Sequence, residues 1–429
     1  MRDLVITLIV FGAIPFILLR PHIGLLIWSW LGYMSPHRLS YGFAYSFPFV
    51  MLISALTIVV LLFSKERKKL PINSVTILWL IFIFWMCIST IFAFYPVDAQ
   101  HELIRTIKIQ VMVLVTMMLF QEKEKIIQLV CVIVFSLGFY GVKGGVFVAA
   151  TGGSYRVWGP PGSFVEGNNE LALALIMILP FMFFLFKIAN NKYIKYFLIF
   201  CMFFTTASIL GSYSRGAFLA LSMITLFLWL KSDKKLLVMM PIVVVIGLAS
   251  VFLPQEWFNR MNTIETYEED SSAMGRVNAW HFAFNLAIDN PLIGGGYGTF
   301  TKELFRNYAP VPEDHHDAHS IYFEVLAEQG FIGLLLFLSL GFFAWRLASK
   351  TIKACKGKEE LTWAYWLASM SQVSLIGYAS GGAFLGLAYY DLPYHIISII
   401  VVLHAVVMKE VSNRETGETE VEREGSRKT

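Results

Sequence analysis

Charge is what this sequence has least of. Only 15% of its 429 residues are charged, against 57% hydrophobic, where a soluble domain carries roughly 25% charged. That scarcity excludes a soluble fold. The short alternating segments of a membrane β-barrel are missing as well. Several apolar runs instead reach the ~20 residues that cross a hydrocarbon core, which defines an all-α polytopic integral membrane protein. Cysteine is sparse too. Cys87, Cys131, Cys201 and Cys355 are scattered without any CxxC spacing, which argues against a disulfide framework and a thiolate metal site. Met1-Arg2-Asp3 leads into an apolar run with no small-residue cleavage site, so that run is expected to stay as the first span.

The apolar runs place spans at 3–19, 45–63, 73–94, 102–120, 126–148, 170–188, 193–211, 215–230, 236–253, 320–345, 362–389 and 394–408. Residues 22–34 are apolar but short, and Pro15, Pro21 and Gly24 point to a broken or re-entrant helix there. Twelve spans result, or thirteen if 22–34 crosses. Basic loops at Lys65–Lys69, Lys123–Lys125, Lys187–Lys195, Lys231–Lys235 and Arg346–Lys358 share one side, which the positive-inside rule makes cytoplasmic. Both termini are then cytoplasmic. The organisation expected is a bundle over 1–253, a large periplasmic loop over 254–319, further transmembrane helices over 320–408 and a disordered tail over 409–429. An outer site excludes ATP and nucleotide sugars as donors, because both are cytosolic.

Six basic residues break the rule that sets this topology. Arg105, Lys108, Lys143, Arg156, Arg215 and Arg276 all fall on or near the outer face, where Asp98, Glu102, Glu166 and Glu170 are the few acids at hand. Cations in a membrane are costly and call for partners. Six of them converging point to a polyanion, and a pyrophosphate at the membrane surface fits. Arginine suits the task because its planar fork binds phosphate oxygens in pairs and stays charged. Around Arg276 the pattern predicts a helix capped by Ser271 or Ser272 and running to about Asp289, with Val277, Trp280, Phe284 and Ile288 as one apolar stripe. Near the start of that helix, backbone N–H groups also favour anions.

The cluster His315-His316-Asp317-Ala318-His319 follows Pro310 and Pro312, which favour an extended approach with Asp317 as a helix cap. An extended chain separates His315 from His319, and no distant ligand completes a metal site. His319 opens the next span, and cations nearby keep its imidazole neutral and able to act as a base. Glu324 or Glu328 is placed to orient it or to balance an arginine.

At this point the motifs resemble a known family. Gly211-Ser212-Tyr213-Ser214-Arg215-Gly216-Ala217 is similar to the S-x-S-R-G signature of the O-antigen ligase and polymerase superfamily. Arg276 through Asn290-Pro291-Leu292-Ile293-Gly294-Gly295-Gly296 resembles its periplasmic loop, and His319-Ser320 to Glu328-Gln329-Gly330 resembles the segment re-entering the membrane. Arg20-Pro21, Met34-Ser35-Pro36-His37-Arg38-Leu39, Tyr41-Gly42-Phe43-Ala44-Tyr45 and Trp158-Gly159-Pro160-Pro161-Gly162-Ser163-Phe164 resemble the O-glycosylation ligases associated with exosortase A systems. Glu166-Gly167 departs from that pattern. The resemblance implies an inverting, metal-independent glycosyltransferase without a cofactor, working on a polyprenyl-pyrophosphate-linked glycan in the lipid bilayer. Its acceptor is a hydroxyl on lipid A-core, protein or polysaccharide, and no nucleic acid is involved. Arg215 and Arg276 would hold the pyrophosphate and His319 would activate the acceptor, with Arg156, Lys143, Arg105 and Lys108 as further anion contacts. A polymerase with a lipid-linked acceptor shares these motifs. A transporter of the same lipid-linked glycan is the alternative of another class, weakened by the lack of internal repeats.

Overall fold

The computed structural model describes residues 2–66, 69–231, 235, 247, 254–262 and 270–426, with side chains of the last helix described as far as residue 414. Every regular element among them is helical. In chain order these are α1 (Arg2–Leu19), α2 (Pro21–Met34), α3 (Phe43–Ser46), α4 (Phe49–Phe63), α5 (Ser74–Ile91), α6 (Pro96–Leu119), α7 (Lys123–Thr151) and α8 (Asn168–Ile188). They continue as α9 (Lys192–Leu210), α10 (Arg215–Lys231), α11 (Gln255–Asn262), α12 (Ser271–Asp289), α13 (Lys302–Tyr308), α14 (Ile321–Cys355), α15 (Thr362–Gly382) and α16 (Asp391–Ser426). The expected span at 236–253 lies outside the described residues.

Seven of the described helices are long and apolar enough to cross a membrane: α1, α5, α7, α8, α9, α14 and α16 as far as Arg414. The protein is a multi-pass membrane protein. The expected spans at 45–63, 102–120, 215–230 and 362–389 are helical too, but fall short in length or apolarity. For α15 burial supplies the reason. Gln372 and Ser374 are buried between neighbouring helices, where Gln372 donates to Trp345 O and Ser349 Oγ and Ser374 to Met177 O in place of apolar contact.

Side-chain contacts sort the helix ends into two groups. One end of the bundle gathers lysines and their acids: Glu66 meets His22 and Lys125, Lys231 Nζ donates to Gln372, and Arg414 pairs with Glu360. The other end gathers residues 35–46, 152–168, 210–215 and 270–320. There Tyr213 Oη donates to Gly153 O, Asn168 Nδ2 to Ser212 O, and Trp257 Nε1 to Leu210 O. The Arg38 side chain reaches the same end, beside Gly162.

One expectation changes against this frame. Helix α2 is unbroken from Pro21 at its first turn, where the missing N–H costs nothing. Gly24 does not interrupt it; a Cβ there would run into Thr57 Oγ1, so the glycine lets α2 press against α4. Helix α2 therefore runs between the two ends. At its start α1 is tied to the 35–46 segment, where Asp3 Oδ1 accepts the Ala44 N–H at 2.6 Å. Helix α16 runs to Ser426.

Helix α14 is interrupted at Gly330, whose backbone sits at φ 68° and ψ −173°. The hydrogen bonds explain the break. Phe331 N donates to Pro291 O instead of Ala327 O, while the carbonyls of Ala327 and Glu328 accept from Gly295 N and Gly296 N. The glycine turn 294–298 thus docks onto backbone groups that the helix gives up, and every one of those groups stays satisfied.

Candidate active site

The site is assembled where α10, α11 and α12 meet. Asp270 caps α12, accepting the Ala273 N–H at 2.9 Å, so the cap is this residue and not Ser271 or Ser272. The same carboxylate receives Arg215 through Nη1 (3.1 Å) and Nη2 (3.2 Å), and Arg260 through Nη1 (3.0 Å). Arg215 opens α10, after a turn in which Ser212 Oγ accepts Ser214 N and Ser214 Oγ accepts Ala217 N. Gly216 leaves room for Phe384, which a Cβ would meet at 2.9 Å. Arg260 is carried by α11, which Trp257 pins to Leu210 O at 2.9 Å.

Arg276 follows on α12, beyond the capped first turn. Its Nε is buried without a hydrogen-bond partner among the described residues. Burial, then the charges of Arg215 and Arg260, pull its pKa below that of an ordinary guanidinium, with Asp270 and Glu170 opposing. Asp270 thus ties Arg215 and Arg260 together beside Arg276. At Asp270 burial works against ionisation, yet the Ala273 N–H, Arg215 and Arg260 together hold its carboxyl below the ordinary 3.8.

His319 lies within electrostatic reach of Arg276. Residues 314–319 belong to no regular element, and His319 takes a left-handed φ of 41°, a conformation uncommon outside glycine. Its neighbours hold it there. Trp280, one turn after Arg276, donates Nε1–H to Ala318 O at 2.8 Å and stacks on Phe323 at 5.1 Å and 9°. Gly386 closes the other side; a Cβ there would lie 3.9 Å from His319 Cα and 3.3 Å from Glu324 Oε2. Burial, then Arg276, lowers the His319 pKa below 6.5, with His316 adding to the effect and Asp317 opposing it. The imidazole is neutral near pH 7 and can accept a proton.

Some expected partners are elsewhere. Ser320, not Asp317, occupies the cap position of α14. Glu324 Oε2 accepts Ala388 N at 3.2 Å and Glu328 Oε1 accepts Gly298 N at 3.0 Å, so both carboxylates tie down backbone instead of orienting His319. His315 Nε2 bonds Phe300 O at 3.0 Å, and His316 Nε2 bonds Asp314 Oδ1 at 2.8 Å. Among the described residues no group of three histidine, cysteine or acidic side chains is placed to hold a metal.

The six outer cations do not converge as one group. Arg156 is within reach of Arg260 and so belongs with Arg215 and Arg276. Arg105 pairs with Glu102 at 3.5 Å and lies 4.0 Å above the Phe164 ring. Lys108 is exposed on α6. Lys143 lines an apolar groove of about 330 Å³ between α7, α8 and α9, with Phe139, Met182 and Cys201. Two members of the cluster escaped the sequence reading. Arg260 lies in a stretch without a motif, and Asp270 stands one residue before two serines that are equally good caps.

Residues 197–338 match the model of the O-Antigen ligase family, and residues 1–191 match that of a family of unknown function (DUF5935). No curated protein matches the chain. The first matched segment contains Arg215, Arg260, Asp270, Arg276 and His319. It supports a place in the O-antigen ligase superfamily and an enzyme of glycosyltransferase type.

Proposed function

We propose that this protein transfers a glycan from a polyprenyl-pyrophosphate carrier to an acceptor hydroxyl on the periplasmic face of the bacterial inner membrane, with inversion and without a metal. The observation that carries this reading is the cluster of Arg215, Arg260 and Arg276 about Asp270, with neutral His319 beside Arg276.

The donor pyrophosphate lies among Arg215, Arg276 and Arg260, with Arg156 at the edge. His319 takes the proton of the acceptor hydroxyl, whose oxygen attacks the anomeric carbon opposite the leaving group. The carbon–oxygen bond to the pyrophosphate breaks, and negative charge grows on the departing oxygen. Fixed arginines stabilise that charge more in the transition state than in the ground state. The segment 254–319 serves as a periplasmic lid that brings Arg260, Arg276 and His319 to Arg215. Arg105, Lys108 and Lys143 stand apart from this cluster and take no part at the reacting phosphate.

The N-terminal motifs favour the exosortase-associated branch of the ligases. Mass spectrometry of glycoconjugates from cells with and without the protein tests the reading. Loss of one glycan from one acceptor supports a ligase. Loss of a ladder of lengthening products favours the polymerase, and unchanged conjugates contradict both.

A further inference from the structure

The outward side of α12 carries two adjacent ridges of opposite character. Phe284, Ile288 and, just past the helix, Leu292 are 46%, 54% and 60% exposed. Next to them His281, Asn285 and Asp289 are exposed as a polar ridge. The remaining face, with Ala279, Phe282, Ala283 and Leu286, is buried against α13 and α14. The expected single stripe is therefore divided. Trp280 turns inward onto Phe323, while Phe284 and Ile288 turn outward.

The apolar ridge continues an exposed apolar surface on α14, one of the helices long and apolar enough to cross a membrane. Phe284 meets Phe331 edge to face, at 6.4 Å and 90°. Phe331 N is bonded to Pro291 O, next to Leu292. From Phe331 an exposed apolar row descends α14 through Leu335, Leu338 and Phe342. Between Phe331 and Lys350 this helix rises roughly 30 Å, the thickness of a hydrocarbon core. With Lys350 at one boundary, Phe331 stands at the other, and the α12 ridge lies at its level.

We infer that α12 is an interfacial helix, with Phe284, Ile288 and Leu292 seated in the outer lipid leaflet and His281, Asn285 and Asp289 facing water. A helix with one apolar and one polar outward side lies in the plane of the interface. Arg276, on the same helix, is then held at the depth of lipid phosphates. The inference rests on packing and the continuous apolar surface, and it stands apart from any catalytic reading.

The full-length protein is reconstituted in phosphatidylethanolamine–phosphatidylglycerol vesicles, with and without 5-doxyl phosphatidylcholine. Bimane is attached at Phe284→Cys, Ile288→Cys or Leu292→Cys, and for comparison at His281→Cys or Asp289→Cys, with labelling of the unsubstituted protein subtracted. Doxyl lipid is expected to quench the first three at least threefold more than the last two, and aqueous iodide the reverse. Equal iodide quenching on both ridges overturns the inference. So does protection of the apolar ridge from both quenchers, which would mean a protein partner covers it.

Discussion

Arg215 and Asp270 meet fork to fork, Nη1 to Oδ2 at 3.1 Å and Nη2 to Oδ1 at 3.2 Å, with both side chains 10% exposed. The pair joins the first residue of a bundle helix to the cap of a loop helix. One carboxylate therefore sets the distance between two arginines that belong to different parts of the chain.

Asp270→Asn keeps a capping oxygen but removes the charge, and is expected to lower stability by roughly 1.5–3 kcal/mol. Asp270→Ala loses the cap as well, a further loss of about 1 kcal/mol. Thermal unfolding in detergent checks the order. Because the carboxyl is held below 3.8, its contribution is present above the ordinary carboxylate range and disappears as pH falls through the lowered value. Asp270→Asn should lack that part of the acid sensitivity.

The acid limb of activity should fall below pH 6.5, since His319 must be neutral and its pKa is lowered. Asp317 raises that pKa and His316 lowers it. Asp317→Asn is expected to move the limb to lower pH, and His316→Ala to higher pH, in a pH profile of kcat/KM. Shifts in the opposite directions would remove His319 as the titrating base.

Trp280→Phe keeps the ring on Phe323 but loses the hydrogen bond to Ala318 O. A lost neutral hydrogen bond of about 0.5–1.5 kcal/mol corresponds to roughly two- to tenfold in rate. The loss is expected in kcat with KM kept, because Trp280 positions the base and does not hold the donor. Steady-state kinetics separate the two.

Gly330→Ala places a side chain on a left-handed backbone and drives its Cβ into Leu292 O. A loss of roughly 1–3 kcal/mol is expected, with the 291–298 turn more open to proteolysis. Gly341→Ala, on the same helix with nothing near its Cβ, is the control and should be neutral or slightly stabilising.

Arg215, Arg276 and His319 were legible because cations and a histidine stand out against an apolar background, and motif order brought them onto one face. Helix α12 was legible to its end at Asp289. The cap was not: Asp270, Ser271 and Ser272 are all capping types, and only the two arginines folding onto Asp270 decide among them. Residues 22–34 were read as a broken or re-entrant helix on Pro15, Pro21 and Gly24, yet Pro21 only opens α2 and Gly24 lets it pack against α4. The partners of Glu324 and Glu328 are backbone N–H groups far along the chain, which no local pattern announces.

The central claim is tested most directly by transfer from a polyprenyl-pyrophosphate-linked glycan to an acceptor hydroxyl, using purified protein with EDTA present. Wild type should transfer. Removing the base, His319→Ala, should cost roughly 10²–10⁴-fold, and removing an anion donor, Arg276→Ala, roughly 10²–10³-fold, with unfolding temperatures near wild type. Transfer by His319→Ala at the wild-type rate would contradict the account.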